Sequence, residues 1–360
     1  MEVVEDVSKI PEVKEEIEEK LEEPEEEVEK KESQEKPPEP EIREEKPKES
    51  FPMIRPRVKK KSELISFKLS GELAYMMVGD FNKKIEESRN NYYNDLDLYY
   101  DYSSLDGEYK KFNFGPGFEG EVRVNPIPQL GIGIGIEYIH GWKKSNPTLY
   151  YSQTYSWGTY DSTNEIDFSY SVTVIPVKLG LYFNLPLSPE LNVVLNGGLG
   201  YYFAKLSWEE NWEWDDDGLD WWGNEYNWIG EDRYSTKASS KGIGFHGGFG
   251  FELGISENFA FVVEGQSRYA KIKNLEGDDE WSYSEEEYMN GTLYDTWSDS
   301  EKTHGSLYSY EWKSSLTGKY YFTTALWEEE PTNHNRRNIR EATLDLTGFS
   351  IKVGIRIKLF

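Results

Sequence analysis

The chain of 360 residues has no cysteine. This absence excludes a disulfide framework, a thiolate metal site and a lipid attached through an N-terminal cysteine. The chain also lacks a run of about 18 apolar residues, so it holds no candidate for a transmembrane helix. A membrane-spanning β-strand needs only about 9–11 residues, of which every second one faces lipid. The mean hydropathy of −0.76 therefore leaves membrane-spanning strands open.

Basic residues are too few for a nucleic-acid partner. The chain has 67 acidic and 40 basic residues and a formal net charge of −27. Because neutralisation of phosphates requires clustered lysine and arginine, we expect no binding of nucleic acid. The sequence opens Met-Glu-Val-Val-Glu-Asp, without the basic and apolar regions of an export signal. Either such a signal has been removed from this sequence, or the membrane interpretation developed below is wrong.

The first region of distinct composition is residues 1–61. Residues 1–50 contain 21 acidic and 9 basic residues, repeated Glu-Pro and Lys-Pro steps, and no aromatic residue. Such a segment cannot bury enough apolar area to offset its ordering entropy. We therefore predict a disordered acidic tail at 1–61, rich in proline, glutamate and lysine, and a folded domain at 62–360.

From residue 62 onward, apolar and polar residues alternate with a period of two. In the first such stretch, Phe67 and Leu69 fall on one face, and Lys68 falls on the other. This alternation is typical of a strand with one apolar and one polar face. Eight stretches of this kind lie at or near residues 65–77, 114–124, 132–138, 168–184, 191–203, 243–255, 259–268 and 349–359.

The connections between these stretches alternate in length. Short links follow the second, fourth and sixth strands, and long ones span roughly residues 82–111, 143–165, 208–240 and 274–345. Transmembrane barrels have short periplasmic turns and long extracellular loops. The sequence therefore predicts an all-β, eight-stranded, antiparallel up-and-down transmembrane barrel, in which residues 305–328 could add a hairpin and make ten strands. An even strand number places the N-terminal tail in the periplasm.

Three segments resemble the small outer-membrane barrels typified by OmpA, OmpX and OmpW. They are the stretch Phe67-Lys-Leu-Ser-Gly-Glu-Leu-Ala-Tyr75 with Gly79-Asp-Phe-Asn82, the strand Val262–Tyr269, and the C-terminal Leu359-Phe360. The resemblance, over residues 64–360, implies residence in the bacterial outer membrane and contact with its lipids. It also implies that the barrel-assembly machinery reads Leu359 and Phe360. Phe360 shares its phase with Lys358, so this assembly signal is shifted.

Charged residues of both signs fall on the polar faces of the predicted strands. Unpaired charges are costly in a low-dielectric interior, so we expect them to form a mutual network that plugs the barrel. The same side chains lining a narrow or gated pore are the alternative. The predicted lumen network consists of Lys68, Glu72, Glu119, Glu121, Arg123, Glu137, Lys178, Glu252, Glu264, Arg268, Lys352 and Arg356.

Eleven of the twelve tryptophans fall in the predicted loops. Because indole faces stack well and tryptophan is frequent at binding hot spots, these loops are candidates for recognition of an extracellular glycan or protein. The alternative is that the loops pack on one another as hairpins. Residues 208–240 also carry ten acidic and two basic residues, without the spacing of a calcium loop. The six clustered tryptophans are Trp208, Trp212, Trp214, Trp221, Trp222 and Trp228.

Signals for catalysis and for cofactors are sparse. The sequence Gly242-Ile-Gly-Phe-His-Gly247 has the spelling of a dinucleotide fingerprint, but nothing helical follows it. The four histidines have no adjacent serine or carboxylate partner. We therefore expect no cofactor, no metal site and no enzymatic activity, and predict a structural or surface-interacting outer-membrane protein. A barrel-embedded hydrolase and a soluble carrier with apolar faces turned inward remain alternatives.

Overall fold

The computed structural model describes residues 64–86, 95, 100–156, 158–332 and 334–359. These residues belong to one unit of the chain, Lys59–Phe360. The predicted tail at 1–61, Trp157 and Phe360 lie outside them. Within the described ranges there are one short helix and sixteen strands: β1 (Ile65–Met76), α1 (Asp80–Lys83), β2 (Tyr102–Asp106), β3 (Phe114–Ile127), β4 (Leu130–Ser145), β5 (Thr148–Tyr155), β6 (Gly158–Pro186), β7 (Leu191–Leu219), β8 (Glu225–Gly254), β9 (Phe259–Tyr269), β10 (Lys271–Ile272), β11 (Glu276–Met289), β12 (Thr292–Lys313), β13 (Tyr320–Trp327), β14 (Arg336–Glu341), β15 (Leu344–Asp345) and β16 (Gly348–Leu359).

The prediction of an all-β, antiparallel fold is confirmed. Strand pairing runs through β1, β3, β4, β6, β7, β8, β9 and β16, and β16 pairs again with β1. At the closing seam Ile65 lies opposite Leu359 and Met76 opposite Gly348. These eight strands thus form a closed ring of antiparallel neighbours. No helix in the described part of the chain is both long and apolar enough to cross a membrane.

The predicted strand number was wrong. The described residues contain sixteen strands, not eight or ten. Each of the eight predicted stretches corresponds to one strand of the ring. The hairpin considered at 305–328 corresponds to the pairing of β12 with β13, and the other six strands lie in or next to segments predicted as loops. In β11, Glu, Asp and Ser stand among Trp and Tyr, so neither face is wholly apolar and the period-two signal is weak. The Asn290-Gly291 step between β11 and β12, which is typical of a tight hairpin turn, is the signal that could have revealed them.

The additional strands extend the ring on one side only. The strands β6, β7 and β8 are 29, 29 and 30 residues long, about twice the length of the other ring strands. Beyond the ring, β8 pairs with β11, β11 with β12, and β12 with β13 and β14. On the other flank β6 pairs with β5, and β5 with β2. We call the part of this sheet beyond the ring the extension; it consists of the distal halves of β6, β7 and β8 together with β2, β5, β11, β12, β13 and β14. The barrel is therefore closed unevenly, since only these strands continue where the ring stops.

The ring has its apolar side chains outside and its charges inside. On β1, Phe67 and Leu69 are exposed, whereas Lys68 between them is buried. On β4, Ile134 is exposed and Glu137 is buried. The pleat of a strand places alternate residues on opposite faces, so each of these strands contributes to both surfaces. A protein stabilised by an apolar interior in water would have the opposite arrangement.

At the end of the ring where the extension begins, the interior becomes apolar. Inward residues such as Met76, Ile139 and Leu206 are fully buried there and belong to one hydrophobic core. Phe81, in the segment that follows β1, packs into the same core. The carboxylate of Asp80 holds this segment in place by accepting hydrogen bonds from Arg340, Ser309 and the backbone N–H of Thr343, at 2.6–3.0 Å. We call this core the mouth core.

Candidate functional site

The twelve predicted lumen residues are all buried and all lie on the inner face of the ring. Six are glutamates and six are lysines or arginines, so their formal charges cancel. They come from β1, β3, β4, β6, β8, β9 and β16, and each is brought to the lumen by the inward phase of its strand. A balanced set of charges is the arrangement in which burial is least costly, because every ion can lie next to one of opposite sign.

The centre of the network is a group of lysines that share carboxylates. Lys178 Nζ lies 2.6 Å from Glu119 Oε2 and 2.6 Å from Glu137 Oε2. The ammonium of Lys352 contacts both of these carboxylates and is 3.0 Å from Glu137 Oε2. Lys68 Nζ lies 3.0 Å from Glu119 Oε1. Glu119 therefore faces three ammonium groups, and removal of its charge would leave all three without their shared partner.

A second group lies towards the short-turn end of the ring. Arg356 Nε is 2.8 Å from Glu252 Oε1, and its terminal nitrogen is 3.1 Å from Glu121 Oε1. Arg123 contacts the same two carboxylates, at 3.2 Å from Glu121 and 3.3 Å from Glu252. Tyr182 donates a hydrogen bond to Glu121 at 2.7 Å, and its ring lies 3.8 Å from the Arg123 guanidinium. Both arginines are thereby fixed in position by charge, and Arg123 also by an aromatic face.

Three further contacts complete the network. Lys68 Nζ is 2.7 Å from Glu264, and Arg268 is 3.0 Å from Glu137. Glu72 lies 3.6 Å from Lys352. With these contacts, each of the twelve predicted residues makes at least one ion pair with another of the twelve.

Sequence reasoning missed several partners of the network. The carbonyl oxygen of Gln266 accepts hydrogen bonds from Lys178 and Lys352, at 3.1 and 2.8 Å. Tyr182 and Lys358 are also buried on the inner face. All three share the polar phase of their strands, so their phase was the available signal. The predicted network contains only formally charged side chains, and it leaves out Lys358.

The six clustered tryptophans do not form one surface. Trp208 is buried in the mouth core, 6.0 Å from the Phe81 ring, and is not available for recognition. Trp212 and Trp214 are half-buried on the face of the extension that continues the lumen face. Trp221, Trp222 and Trp228 are exposed. The first three tryptophans of the set are therefore packed against other side chains, and the last three are exposed at the surface.

The lumen-side face of the extension combines aromatic rings with carboxylates. Trp214 stacks on Tyr283 at 5.5 Å, and Tyr283 lies 6.3 Å from Trp281. The indole N–H of Trp281 donates to Asp232 at 2.5 Å, and the Tyr160 hydroxyl donates to Asp216 at 2.7 Å. The aromatic donors therefore hold acidic side chains in place across β6, β7, β8 and β11.

Burial raises the pKa of two of these carboxylates. It raises the pKa of Asp216, although hydrogen bonds from Ser162 and Tyr160 act in the opposite direction. Burial likewise raises the pKa of Asp232, against the hydrogen bond from Trp281. The folded extension thus favours the neutral form of both groups, and their ionised forms destabilise it.

The remaining candidates are dispersed. His140 stacks on Trp142 at 5.5 Å on the outer face of β4, and His246 is buried in the lumen. His304 Nδ1 lies 2.8 Å from Asp278 Oδ1 on the extension. Leu359 ends β16 on its exposed face. Within the ranges that the structure describes, no group of three or more histidine, cysteine or acidic side chains is placed to hold a metal ion.

Substitution of Glu119 by glutamine is expected to destabilise the barrel strongly. The variant keeps the shape of the side chain but removes the charge that three buried lysines share, and breaking a buried pair costs about 3–5 kcal/mol. Urea unfolding from detergent micelles, followed by the mobility of unboiled protein, measures the loss. Glu280→Gln is the matched control, because Glu280 pairs with Lys302 on the exposed extension, where the pair is screened by solvent. Equal urea midpoints for the two variants would contradict a stabilising role for the network.

Substitution of Asp216 by asparagine is expected to stabilise the extension more at neutral than at acidic pH. A carboxyl group whose pKa is raised by folding contributes stability below its unfolded pKa and loses it as pH rises through the folded pKa. Asparagine has no ionised form, so the variant should exceed the parent at about pH 7 and match it at about pH 3. The measurement is the urea concentration at which the extension loses protection from protease. Asp295→Asn, at an exposed position, is the control, and a pH-independent difference for Asp216→Asn would refute the assignment.

Comparisons with known proteins give a distant structural similarity. No protein-family model matches the chain, and no curated protein matches it. The resemblance to the OmpA, OmpX and OmpW group therefore stays a prediction. Among solved structures, the chain is similar to the outer membrane protease OmpT from Escherichia coli, with 9% identity, a TM-score of 0.23, and coverage of 83% of this chain and 98% of that one.

This match corrects one expectation from the sequence. The prediction that the chain is not an enzyme is withdrawn, because the matched structure is that of a protease. At this identity and TM-score the likeness assigns no activity to the chain.

Proposed function

We propose that the chain is an integral protein of the bacterial outer membrane, with a plugged barrel that presents the extension outside the cell as a recognition surface. The observation that carries the proposal is the inverted polarity of the ring. A hydrogen-bonded ring without open edges suits hydrocarbon, which offers backbone groups no partners. An apolar outer face is stable only against lipid, and the buried ion pairs keep the charges away from it.

The height of the apolar face fits a bilayer. From Ile65 to Tyr75, β1 has eleven residues, which at the tilt of a membrane barrel correspond to an apolar band about 25 Å tall. Aromatic side chains mark the end of this band nearest the extension. Tyr75 lies 5.3 Å from both Phe114 and Phe349, and Trp142 is exposed at the same end of β4. Aromatic belts of this kind are typical of the boundary between lipid and water.

The orientation follows from the lengths of the connections. The short turns at residues 128–129, 187–190 and 255–258 lie at the end of the ring where β1 begins and β16 ends. In outer-membrane barrels the short turns face the periplasm. The proposal therefore places the tail at 1–61 in the periplasm and the extension outside. Outer-membrane lipids and the barrel-assembly machinery, acting on Leu359 and Phe360, are its expected partners.

Two features argue against a pore. The central lumen is filled by paired side chains, of which Lys68, Glu137 and Lys352 are each 1% exposed. Above them the mouth core closes the ring with apolar side chains. Open channels are typical of closed rings with about 16–18 strands, which are wide enough to hold water, whereas the closed ring of this chain has eight. Recognition by the extension is therefore the better supported role.

Substitution of Ile134 by arginine tests the membrane assignment. Ile134 is exposed near the middle of the apolar band, where a charge facing lipid costs about 2–4 kcal/mol. We expect the variant to unfold at lower urea in lipid vesicles and to accumulate less in the membrane fraction that resists carbonate. Thr296→Arg, on the exposed extension, should leave both measurements unchanged. A soluble carrier would tolerate Ile134→Arg, so normal yield with release by carbonate would overturn the proposal.

Hydrolysis is a second candidate function, favoured by the contact between His304 and Asp278. An imidazole held by a carboxylate is the usual form of a general base, which contributes about 10²–10⁴-fold to a rate. Both side chains are about three-quarters exposed on β11 and β12, within reach of a macromolecular substrate. If the chain cleaves fluorescent casein, His304→Ala should lower the rate at least about 10²-fold. His140→Ala is the matched control, and equal rates for the two variants, or no cleavage by the parent protein, would eliminate this candidate.

A further inference from the structure

The end of the extension farthest from the ring exposes four large apolar side chains. Trp221 and Trp222 lie in the turn between β7 and β8, and their side chains are 69% and 84% exposed. Leu293 and Tyr294 lie at the start of β12 and are 51% and 67% exposed. These four residues are called the distal tip. These four side chains, three of them aromatic, give the extension exposed apolar surface far from the apolar band of the ring.

The distal tip is held in shape by hydrogen bonds. Asp220 Oδ1 accepts hydrogen bonds from the backbone N–H groups of Trp222 and Asn224, each at 2.8 Å. The neighbouring turn is attached to it, since Asn290 N–H donates to the Glu225 carbonyl at 2.7 Å. The side-chain oxygen of Asn290 accepts a hydrogen bond from Glu225 N–H at 3.1 Å. The two hairpins therefore present their apolar side chains in one fixed arrangement, which lowers the entropy lost on binding.

Exposed aromatic residues on an ordered surface need a physical explanation. Contiguous exposed apolar patches on folded proteins mark interaction sites, and tryptophan and tyrosine are the residues most frequent at binding hot spots. The mouth core shows that the same chain buries Trp208 where it has a core to fill. The exposure of Trp221 and Trp222 is thus consistent with a partner that covers them.

The charge around the distal tip determines what kind of partner fits. Residues 213–231 contain seven acidic residues and no basic one, and residues 284–301 contain six acidic residues and no basic one. A cleft of about 860 Å³ in the extension, which starts at Thr296, two residues along β12 from Tyr294, is lined mainly by carboxylates, with Arg233 as the basic residue in its lining. The acidic residues that line it are Asp161, Glu165, Glu213, Asp215, Asp217, Glu231, Glu285 and Glu286.

We propose that the distal tip binds a basic, amphipathic polypeptide segment of another protein or peptide outside the cell. Its apolar residues would cover Trp221 and Trp222, and its lysines or arginines would face the carboxylates of the cleft. Lysine and arginine also interact favourably with indole faces. Anionic lipids and phosphorylated glycans are repelled by the same charges. This inference rests on the proposed function, because it requires the extension to lie outside the membrane.

The test uses the full chain in nanodiscs and three labelled synthetic peptides. The first has leucine at positions spaced i, i+3, i+4 and i+7 with lysine between them, which gives a basic amphipathic helix, the second replaces each lysine by glutamate, and the third replaces each leucine by serine. We expect the first to bind, with affinity that falls as salt rises, and the other two to bind at least about tenfold more weakly. The double variant Trp221→Ala with Trp222→Ala should lose about tenfold or more in affinity for the first peptide. Tyr102→Ala, which removes an exposed aromatic ring from β2, is the matched control and should bind as the parent does.

Three results would overturn the inference. They are absence of binding by the lysine-leucine peptide, equal binding by the tryptophan double variant, and preference of the protein for vesicles of phosphatidylcholine over that peptide. The mobility of unboiled protein shows that each variant is folded. Failure of the proposed function has a different signature, since the parent protein would then be released from membranes by carbonate whether or not it binds the peptide.

Discussion

Compensation of buried charge is the constraint on which the structure depends. Six glutamates and seven basic residues, Lys358 included, lie in the lumen, where an uncompensated ion would cost several kcal/mol. Lys178 and Lys352 both contact Glu119 and Glu137, so every charge in the centre has more than one partner of opposite sign. This sharing permits a narrow ring to be polar inside, and a polar inside leaves the alternate residues of each strand free to be apolar outside.

The same constraint explains why the ring could be predicted from the sequence and the extension could not. In the half of β6 within the ring, Lys178 lies inside and Leu179 and Leu181 lie outside. The two faces of this half therefore differ in polarity, and the sequence shows the difference as an alternation. In the other half, Asn164 and Thr163 lie on opposite faces, and both are polar. Where both faces carry polar residues, the sequence shows no alternation of polarity that would indicate a strand. The sequence therefore predicted eight strands, or ten, where the described residues contain sixteen.

The candidate sites divide along similar lines. The inward phase identified the charged lumen residues, because charge on the buried face of a strand has few alternative explanations. It did not identify Gln266 or Tyr182 as partners of the network, because neutral polar residues on that face carry no charge that would mark them as partners of an ion. Nor could it separate Trp208 from Trp222: both lie in an acidic segment rich in aromatic residues, yet one fills the mouth core and the other is exposed. That difference depends on the segment of Asp80 and Phe81, distant in sequence, which folds over Trp208.

In the proposed orientation, the extension holds its exposed apolar side chains away from the membrane. From Trp208, in the mouth core, to Leu219, next to the distal tip, β7 runs twelve residues, or about 35–40 Å along the strand. Continuous pairing of β7 with both β6 and β8 makes this length rigid. Trp221 and Trp222 are therefore kept well away from the aromatic belt, where they would otherwise partition into the lipid boundary. Carboxylates on the intervening strands repel an anionic surface, so in the proposed orientation the same geometry keeps the tip away from the lipid and favours the proposed basic partner.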